Sequence, residues 1–353
     1  MDTKKRGIGF YVYSLMSYLE RGNCGDFTSL RYKKSDHPFG EELVIPLGGV
    51  SERYLWAANA LLLPQFLKKN KVDLFHSTHP YTSIYSKKYK TVATVHDLIP
   101  LIFYKEVLER KWVNAKLSYH YYLNNLKKLD HLISISDTTK NDCVRLLGIN
   151  DKKITTVHIG VDNKVFKRIN NIETLENVKK KYRLPESFFL YVGGLDFRKN
   201  YERMFNAFIN ISEKITEHLV MVGAWGTNIN LLKHSKVHYL NFVSVEDLVS
   251  LYSLATALIL PSLYEGFGIP VIEAFNCECA VLCSSNSSLG EIAGDAALLV
   301  DPYSIADISA GIEKLSSDEN LRNELVVRGK ARAENFTLEK MGRNTLAVYE
   351  KIF

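Results

Sequence analysis

Residues 257–273 read A-L-I-L-P-S-L-Y-E-G-F-G-I-P-V-I-E, and this stretch decides the fold prediction. It opens with a short apolar run that is typical of the end of a buried strand. Gly266 and Gly268 then allow a tight bend in which the backbone can approach a ligand closely. Pro270 is tolerated at the start of a helix, so we expect a helix to begin there. The stretch therefore predicts a strand, a turn and a helix.

The same stretch carries groups suited to a ligand that is both anionic and rich in hydroxyls. A helix that starts near Pro270 points its unpaired N–H groups back at the loop, where they can bind an anion. Glu265 lies in the loop and Glu273 one turn into the helix. Carboxylates beside a phosphate are suited to accept hydrogen bonds from hydroxyls, which a sugar nucleotide supplies. The alternative is a plain joint in which Glu273 is a first-turn residue favoured by the helix dipole.

The pattern P-S-x-x-E-G-F-G-x-P-x-x-E resembles the donor-binding signature of the large retaining glycosyltransferase family 4, the glycosyl transferases group 1, of bacterial surface-polysaccharide type. This resemblance implies an α/β protein of GT-B fold, with two Rossmann-like parallel-sheet domains facing across a cleft. It also implies a role for Glu265 in holding sugar hydroxyls and for Glu273 in binding the ribose. Gly266, Phe267 and Gly268 would form the donor-binding loop between them.

Length and composition agree with a well-cored, two-domain protein. The chain has 353 residues, of which 46% are hydrophobic and only 9 are Pro. No run of 18 apolar residues exists, so no membrane span is predicted. The basic first residues are followed by no apolar segment of a signal peptide. We therefore expect a cytoplasmic protein.

The five cysteines form no paired framework, which favours reduced thiols. Cys277, Cys279 and Cys283 are spaced closely enough to be considered as metal ligands. No fourth ligand lies nearby in the sequence, and the segment has the pattern of a helix end followed by a buried strand. We expect core cysteines and no bound metal.

Charge is distributed unevenly along the chain. Residues 1–170 carry 27 Lys and Arg against 16 Asp and Glu, whereas residues 171–353 carry 18 against 23. No aromatic and basic interleaving accompanies the basic half, so we expect no nucleic-acid partner. Peripheral contact with an anionic membrane or a diphosphate-linked acceptor fits better. A solvated basic face without a partner is the alternative.

Strand and helix patterns alternate throughout, which predicts parallel sheets built from right-handed crossovers. Helices are predicted near residues 54–69, 107–128 and 138–147, and a polar linker near 163–177. From the resemblance we expect an acceptor-side domain over 1–165, a nucleotide-sugar domain over 166–337 and a final helix, 338–353, that crosses back. The predicted strands are 72–76, 91–95, 131–135, 154–157, 188–192, 219–222, 237–240, 257–260, 280–283 and 297–300.

Ligands of parallel sheets bind at the carboxyl ends of the strands, so loops that follow strands are the candidate sites. His96 follows the strand at 91–95, where a neutral imidazole could donate a hydrogen bond to a sugar hydroxyl or a phosphate oxygen. A strand-end histidine is also common as a structural residue. The family resemblance assigns His96 to the donor sugar.

The segment 191–200, Y-V-G-G-L-D-F-R-K-N, places two cations directly before a predicted helix. Arg198 and Lys199 are suited to stabilise the negative charge that develops on a departing diphosphate. Many family members carry Arg directly after the first Gly, where this chain has Gly194. We therefore expect Arg198 to supply the arginine, with Gly194 lining the donor site.

Gly7-Ile8-Gly9 precedes an amphipathic helix predicted over residues 10–20, and the family uses a Gly-rich loop here to approach the donor. Gly9 is the candidate donor contact. Relatives carry a strand before this loop, and only six residues precede Gly7. We expect that first strand to be missing from the sequence as given.

The expected chemistry needs no cofactor and no metal. No D-x-D occurs in the chain, so cations and helix N-termini would hold the diphosphate of the donor in place of a divalent metal. The resemblance implies retention of configuration in transfer of a mannose- or rhamnose-type hexose to a glycan or lipid-diphosphate-linked oligosaccharide acceptor. GDP-mannose is the expected donor and a UDP-hexose the alternative. A nucleotide-sugar epimerase and a non-catalytic scaffold are the other candidates, whereas the absence of G-x-G-x-x-G after a strand disfavours a NAD oxidoreductase.

Overall fold

The computed structural model describes residues 7–22, 27–32, 41–45, 47, 52–79, 82–109, 111, 113–223 and 232–353. These residues divide into two compact units. The N-terminal unit comprises Lys5–Gly160 together with Leu338–Phe353, and the C-terminal unit comprises Val161–Thr337. Each unit has its own parallel sheet.

The sheet of the N-terminal unit has four parallel strands in the order β3-β4-β5-β6. A separate parallel pair is formed by β1 and β2. The strands of this unit are β1 Thr28–Arg31, β2 Glu41–Val44, β3 Leu74–Ser77, β4 Lys90–Val95, β5 His131–Ser134 and β6 Ile154–Thr156.

Helices cover this sheet, and the last helix of the chain returns to pack on the first one. A π-helical segment, Lys105–Glu109, and a short 3₁₀ helix, Asp151–Lys153, lie between them. The α-helices of the N-terminal unit are α1 Ile8–Arg21, α2 Glu52–Lys69, α3 Ile99–Ile102, α4 Val113–Lys128, α5 Asp137–Leu147 and α13 Leu338–Ile352.

The C-terminal unit has six parallel strands in the order β9-β8-β7-β10-β11-β12. Counted from the first strand of the unit this is the order 3-2-1-4-5-6, which is the dinucleotide-binding Rossmann order. Its central strands are buried along their whole length, as expected for a parallel sheet covered on both faces. The strands are β7 Phe188–Val192, β8 His218–Val222, β9 Val237–Leu240, β10 Ala257–Leu260, β11 Val281–Ser284 and β12 Leu298–Val300.

Seven α-helices and one 3₁₀ helix, Phe197–Lys199, belong to the described part of the C-terminal unit. Side-chain caps fix several starts: Ser244 caps α8, Ser304 caps α11 and Asp318 caps α12. The helices are α6 Ile172–Tyr182, α7 Tyr201–Ile209, α8 Val245–Leu254, α9 Ile269–Asn276, α10 Ser287–Ala293, α11 Ile305–Ser317 and α12 Glu319–Ala333.

All ten predicted strands are present within one or two residues of their predicted ends. One predicted helix and the predicted linker need correction. The helix predicted over 107–128 is interrupted, because the π-helical segment ends at Glu109 and α4 begins only at Val113. The predicted linker 163–177 overlaps α6, whose start is fixed by the Asn171 side chain accepting from Thr174 N–H. The strands β1 and β2 were not predicted.

Some predictions concern residues that lie outside the described part of the chain. The missing first strand concerns residues 1–6, which lie outside it, as does Cys24. The other four cysteines are buried free thiols, and burial raises the pKa of Cys279 and Cys283 to about 12. Among the described helices, none combines the length and the apolar character that crossing a membrane requires.

Candidate functional site

The strand order of the C-terminal unit places two predicted loops side by side. Strands β7 and β10 are hydrogen-bonded neighbours, although two α-helices, one 3₁₀ helix and two strands separate them in the described part of the sequence. The chain crosses from one half of the sheet to the other between them, and this is where such sheets bind ligands, beyond the strand carboxyl ends. The loop after β7 carries Arg198 and Lys199, and the loop after β10 carries Glu265.

Lys199 and Glu265 form the central ion pair of this site. Lys199 Nζ lies 2.6 Å from Glu265 Oε1, and the same oxygen accepts a hydrogen bond of 2.9 Å from Ser262 Oγ. Glu265 is only 9% exposed. A buried carboxylate needs such partners because an uncompensated charge would be costly in a medium of low polarity. The pair couples a cation suited to phosphate with a carboxylate suited to hydroxyls.

Asn200 fixes the position of the cations. Its side-chain amide donates to the carbonyl oxygens of Pro261, at 2.8 Å, and Pro302, at 2.7 Å. Its backbone is left-handed, with φ 57°, which Asn tolerates better than most residues. Leu263 N–H also donates to Arg198 O at 2.7 Å. The loops after β7, β10 and β12 are thereby joined to one another.

Arg198 is held by a neighbouring carboxylate. Its Nε lies 3.0 Å from Asp196 Oδ1 and 3.1 Å from Oδ2, and its Nη2 also contacts Oδ2. Asp196 Oδ1 accepts from Arg198 N–H as well, which caps the 3₁₀ helix. Burial raises the pKa of Asp196, but these hydrogen bonds outweigh it and leave the pKa below its usual value. The guanidinium is therefore present in this loop and paired with an anion.

The turn after β7 depends on close backbone packing against the turn after β8. A Cβ at Gly223 would lie 1.4 Å from the carbonyl oxygen of Gly193, so only glycine fits there. Gly193 N–H donates to Val222 O at 2.9 Å. Gly194 follows in the same turn, and its carbonyl oxygen accepts from the Tyr191 hydroxyl at 3.4 Å. Gly194 is therefore placed in the loop that carries the cations.

The turn after β10 needs a glycine at one position. Gly268 has φ 116°, and a Cβ there would lie 2.6 Å from Leu289 Cδ2. α9 begins immediately after it, with Pro270 as the second helical residue. Because Pro270 has no N–H and Val271 N–H donates to Gly268 O, the amides of Gly268 and Ile269 are the ones suited to an anion at this helix start.

The other residues of this loop are held by α10. Ser288 Oγ lies 2.8 Å from the carbonyl oxygens of both Glu265 and Phe267, and its single O–H can donate to either. The Phe267 ring is buried and meets the Phe336 ring edge-on, with centroids 5.8 Å apart. Gly266 lies between these anchored residues. The loop is thus preorganised by contacts that the sequence pattern did not predict.

Glu273 lies on the fifth residue of α9, beyond the first turn, so the interpretation as a dipole-favoured first-turn residue is wrong. It is 8% exposed, and its Oε2 accepts a 2.8 Å hydrogen bond from the Tyr252 hydroxyl. Burial and the Glu273 charge raise the pKa of Tyr252 well above its usual value, so the hydroxyl remains a donor. Tyr252 therefore orients this carboxylate.

His96 belongs to the N-terminal unit, where it follows β4. Burial lowers its pKa to about 4, so the imidazole is neutral at neutral pH. Its Nε2 lies 3.2 Å from the carbonyl oxygen of Thr78, which can only accept, so Nε2 carries the proton. Nδ1 is then an acceptor. The N–H of His96 is thus engaged by Thr78 in this structure, and contact between His96 and a donor sugar stays a prediction.

Gly9 is the second residue of α1, because the helix begins two residues earlier than the predicted start at residue 10. The helix begins at Ile8 because Gly7, with φ 62°, supplies the turn before it and accepts from Phe10 N–H. Tyr11 of the same helix meets the His96 ring edge-on, with centroids 5.1 Å apart. Within the N-terminal unit the start of α1 is therefore close to His96.

The structure brings together the predicted residues Gly194, Arg198, Lys199, Glu265, Gly266, Phe267, Gly268 and Glu273 within one unit, whereas His96 and Gly9 belong to the other. Asp196, Asn200, Tyr252 and Ser288 were not given roles from the sequence. Asp196 and Asn200 flank the predicted cations, which was a signal available in the sequence. Tyr252 and Ser288 lie 21 and 23 residues from the groups that they contact, and no pattern pointed to them.

Comparisons with known proteins bear on the family and the fold of this chain. A family model described as "Glycosyltransferase Family 4" matches residues 5–165, and one described as "Glycosyl transferases group 1" matches residues 173–332. Together they span most of the chain. The chain is 30% identical over 230 residues to the O-antigen chain mannosyltransferase B of Escherichia coli, covering 62% of this chain and 60% of that protein.

Another relative is the O-antigen chain mannosyltransferase RfbU of Salmonella typhimurium, 26% identical over 70% of this chain and 65% of its own length. The matches thus span somewhat less than two thirds of these relatives. Among solved structures, the sucrose-phosphate synthase of Thermosynechococcus elongatus superposes with a TM-score of 0.80, at 19% identity, over 99% of this chain and 94% of its own. That similarity shows a shared fold.

Proposed function

Because the chain belongs to the group 1 glycosyltransferases of family 4, with their GT-B fold, we propose that it transfers a hexose from a nucleotide diphosphate sugar to a glycan acceptor in surface-polysaccharide biosynthesis. Mannose is the proposed sugar, since the relatives above are named as O-antigen mannosyltransferases. GDP-mannose is accordingly the proposed donor, with a UDP-hexose as the alternative.

The observation that carries this proposal is the 2.6 Å pair of Lys199 and Glu265 at the carboxyl ends of β7 and β10. A nucleotide sugar presents a diphosphate next to a ring of hydroxyls. Lys199, Arg198 and the amides at the start of α9 suit the diphosphate, and Glu265 suits the hydroxyls. Glu273, oriented by Tyr252, suits the hydroxyls of the ribose.

We assign the reaction as transfer with retention of configuration. The bond between the anomeric carbon and the phosphate oxygen breaks, and a bond from the same carbon to the acceptor oxygen forms on the same face. The acceptor hydroxyl passes its proton to the departing phosphate oxygen. Arg198 and Lys199 stabilise the charge that develops on that phosphate, which takes the part that a divalent metal plays in other transferases.

Thermal stabilisation tests the donor class. A ligand present at 100 times its dissociation constant adds about 2.7 kcal/mol to the free energy of unfolding. GDP, UDP, dTDP and NAD should be compared, each with EDTA and with Mg²⁺. We expect GDP to raise the melting temperature equally in both. A rise in melting temperature that requires Mg²⁺ would contradict metal-independent donor binding. A rise with NAD alone would contradict the proposed glycosyltransferase function.

Transfer of radiolabelled mannose from GDP-mannose tests the chemistry. We expect Glu265→Gln to remain folded and to lose at least about 10²-fold in kcat, since it removes a charge that contacts the donor. Glu213→Gln, an exposed carboxylate of the same unit, is the matched control. Epimerised sugar formed without acceptor would indicate the epimerase instead. Donor binding without any reaction would indicate a scaffold.

A membrane-linked acceptor is supported by exposed aliphatic side chains on two helices of the N-terminal unit that contact each other. Val113 is 68% and Leu117 50% exposed, one turn apart on α4 with Lys116 between them. Leu61 of the adjacent α2 is 71% exposed. Exposed aliphatic groups beside lysines suit an anionic lipid surface. Flotation with phosphatidylglycerol vesicles at low salt should recover the protein, and Leu117→Asp should reduce that recovery.

A further inference from the structure

A cavity lies beyond the amino ends of two central strands of the C-terminal sheet, at the end of the sheet opposite the candidate site. It has a volume of about 390 Å³. Ala255 and Thr256 line it directly before β10, and Ala280 lines it directly before β11. These are the amino ends of two strands whose other ends lead to Glu265 and the loops of the candidate site. The cavity is therefore separated from that site by the length of the strands.

Two arginines that line this cavity are each held on one side only. Arg168 Nη1 donates to Glu278 O at 3.3 Å, and Arg322 Nη1 donates to the carbonyl oxygens of Leu315, at 2.6 Å, and Ser316, at 3.0 Å. Their Nε and Nη2 groups form no hydrogen bonds with the described residues. Each guanidinium thus has an edge of N–H donors that is oriented by the backbone and available to a ligand.

The backbone around Arg168 is itself anchored. The N–H of the next residue, Ile169, donates to Ser253 Oγ at 3.0 Å, which ties this segment to the end of α8. Glu278 has a left-handed backbone, with φ 55°, at the turn that follows α9. A non-glycine residue in this conformation requires support from its surroundings, and the contact with Arg168 supplies part of it.

The charge of the cavity is positive. Its carboxylate, on Glu278, already pairs with Lys330 Nζ at 2.7 Å. The charges of Arg168 and Arg322 are therefore not balanced by the acid that lines the cavity with them. Asn323 and Thr256 add neutral polar side chains. The edge of a guanidinium matches the oxygens of a phosphate or phosphomonoester, which it can bind through two parallel hydrogen bonds.

We propose that this cavity binds a phosphate or phosphomonoester dianion, at a site separate from the one that holds the donor. The volume is within the range of small-ligand sites, about 300–1,000 Å³. Both arginines contribute donors, and Lys330 keeps Glu278 from repelling the anion. β10 and α9 each run between this cavity and the donor-binding loop, so the site is suited to an anionic regulator of the same unit.

Calorimetric titration with inorganic phosphate tests this proposal on the full chain, first alone and then with a saturating nucleoside diphosphate. We expect binding of one phosphate in both cases. Arg168→Gln should weaken it by roughly tenfold or more, since a hydrogen bond to a charged group contributes about 1.5–3 kcal/mol. Lys167→Gln, the adjacent exposed cation, is the control and should change the affinity less than about twofold, as expected for a screened charge.

Arg322→Gln is the second variant and should weaken phosphate binding as Arg168→Gln does. Its melting temperature must be measured too, because the change also removes two hydrogen bonds to α11. The proposal is wrong if phosphate does not bind, if nucleoside diphosphate displaces it, or if Arg168→Gln and Lys167→Gln weaken it equally. Failure of nucleoside diphosphates to bind would contradict the proposed function. The titration of the chain with phosphate alone would still test the second site.

Discussion

The guanidinium of Arg198 contacts the Asp196 carboxylate through Nε and Nη2, in the loop that we assign to the diphosphate. A carboxylate so close to a phosphate would repel it. Asp196 therefore has two opposing effects on diphosphate binding. It orients Arg198, but it also competes with the diphosphate for the same N–H groups. Replacing the Asp196 carboxylate with an amide removes its charge and keeps its shape, so the two effects can be measured separately.

We expect Asp196→Asn to tighten nucleoside diphosphate binding by about three- to tenfold, since removing one charge from a partly exposed pair changes the free energy by around 1 kcal/mol. The amide oxygen can still cap the 3₁₀ helix by accepting from Arg198 N–H. Calorimetric titration of wild type, Asp196→Asn and Arg198→Gln measures this. Weaker binding by Asp196→Asn, as by Arg198→Gln, would show that Asp196 mainly positions the arginine.

His96 is expected to act as a neutral acceptor through Nδ1. His96→Phe keeps an aromatic ring against Tyr11 and removes both nitrogen atoms. An unsatisfied hydroxyl costs about 1–3 kcal/mol, so we expect kcat/KM to fall about ten- to a hundredfold. Because burial lowers the His96 pKa to about 4, wild type and variant should show the same pH profile between pH 6 and 8. A wild-type inflection in this range that the variant lacks would contradict this assignment.

At the scale of secondary-structure elements, the last helix and the first are joined through one glycine. A Cβ at Gly342 of α13 would lie 2.0 Å from the ring of Tyr18 in α1. Such a distance cannot be accommodated without movement of the ring or of a helix. α13 also carries Tyr349, whose hydroxyl lies 2.6 Å from His76 Nδ1. The final helix is thus an integral part of the N-terminal unit.

We expect Gly342→Ala to reduce the free energy of unfolding by about 1–3 kcal/mol, as overpacking does in well-packed cores. Chemical denaturation followed by circular dichroism measures the loss. Arg343→Ala, on the exposed face of the same helix, is the control and should have little effect. In the Gly342→Ala background, Tyr18→Leu should recover part of the loss. No recovery would indicate that the Tyr18 contact is not the cause.

At the scale of the whole molecule, buried neutral histidines couple folding to pH. His76 lies between Tyr349 and Thr94, with Nε2 2.7 Å from Thr94 Oγ1, and that hydroxyl lies 2.9 Å from the Tyr11 hydroxyl. Burial lowers the pKa of His76 to about 3, and burial lowers those of His96 and His131 to about 4. An unfolded histidine has a pKa of about 6.5.

Between pH 6.5 and 4 the unfolded chain therefore binds protons that the folded chain does not. The free energy of unfolding should fall as the pH falls through this window, by up to about 1.4 kcal/mol per pH unit for each fully buried histidine. Urea denaturation at pH 7.5, 6 and 5 measures the slope. His76→Gln should show a shallower slope, whereas His120→Gln, at an exposed position of α4, should keep the wild-type slope. Equal slopes in all three proteins would show that His76 does not contribute to the pH dependence of stability.

Most strands of the two main sheets could be predicted because they are short runs of mainly apolar residues, as in β7 and β10, which are buried throughout. Helix ends were less certain where a cap or a break decided them. The Asn171 cap starts α6 inside the predicted linker. The π-helical segment interrupts the helix that was predicted over residues 107–128. Such breaks depend on backbone hydrogen bonds that residue types alone do not specify.

By itself the sequence determined the alternation of strand and helix, the glycine-containing turns and the chemistry available in each loop, because these follow from local conformational preference and side-chain type. Tertiary structure alone decided that Lys199 meets Glu265, that Tyr252 holds Glu273 and that the Thr78 carbonyl oxygen accepts from the only N–H of His96. The contacts of Lys199 and Glu273 depend on strand order and helix packing, which join residues far apart in the chain. The His96 tautomer depends on one carbonyl group, and no pattern in the sequence records where that group points.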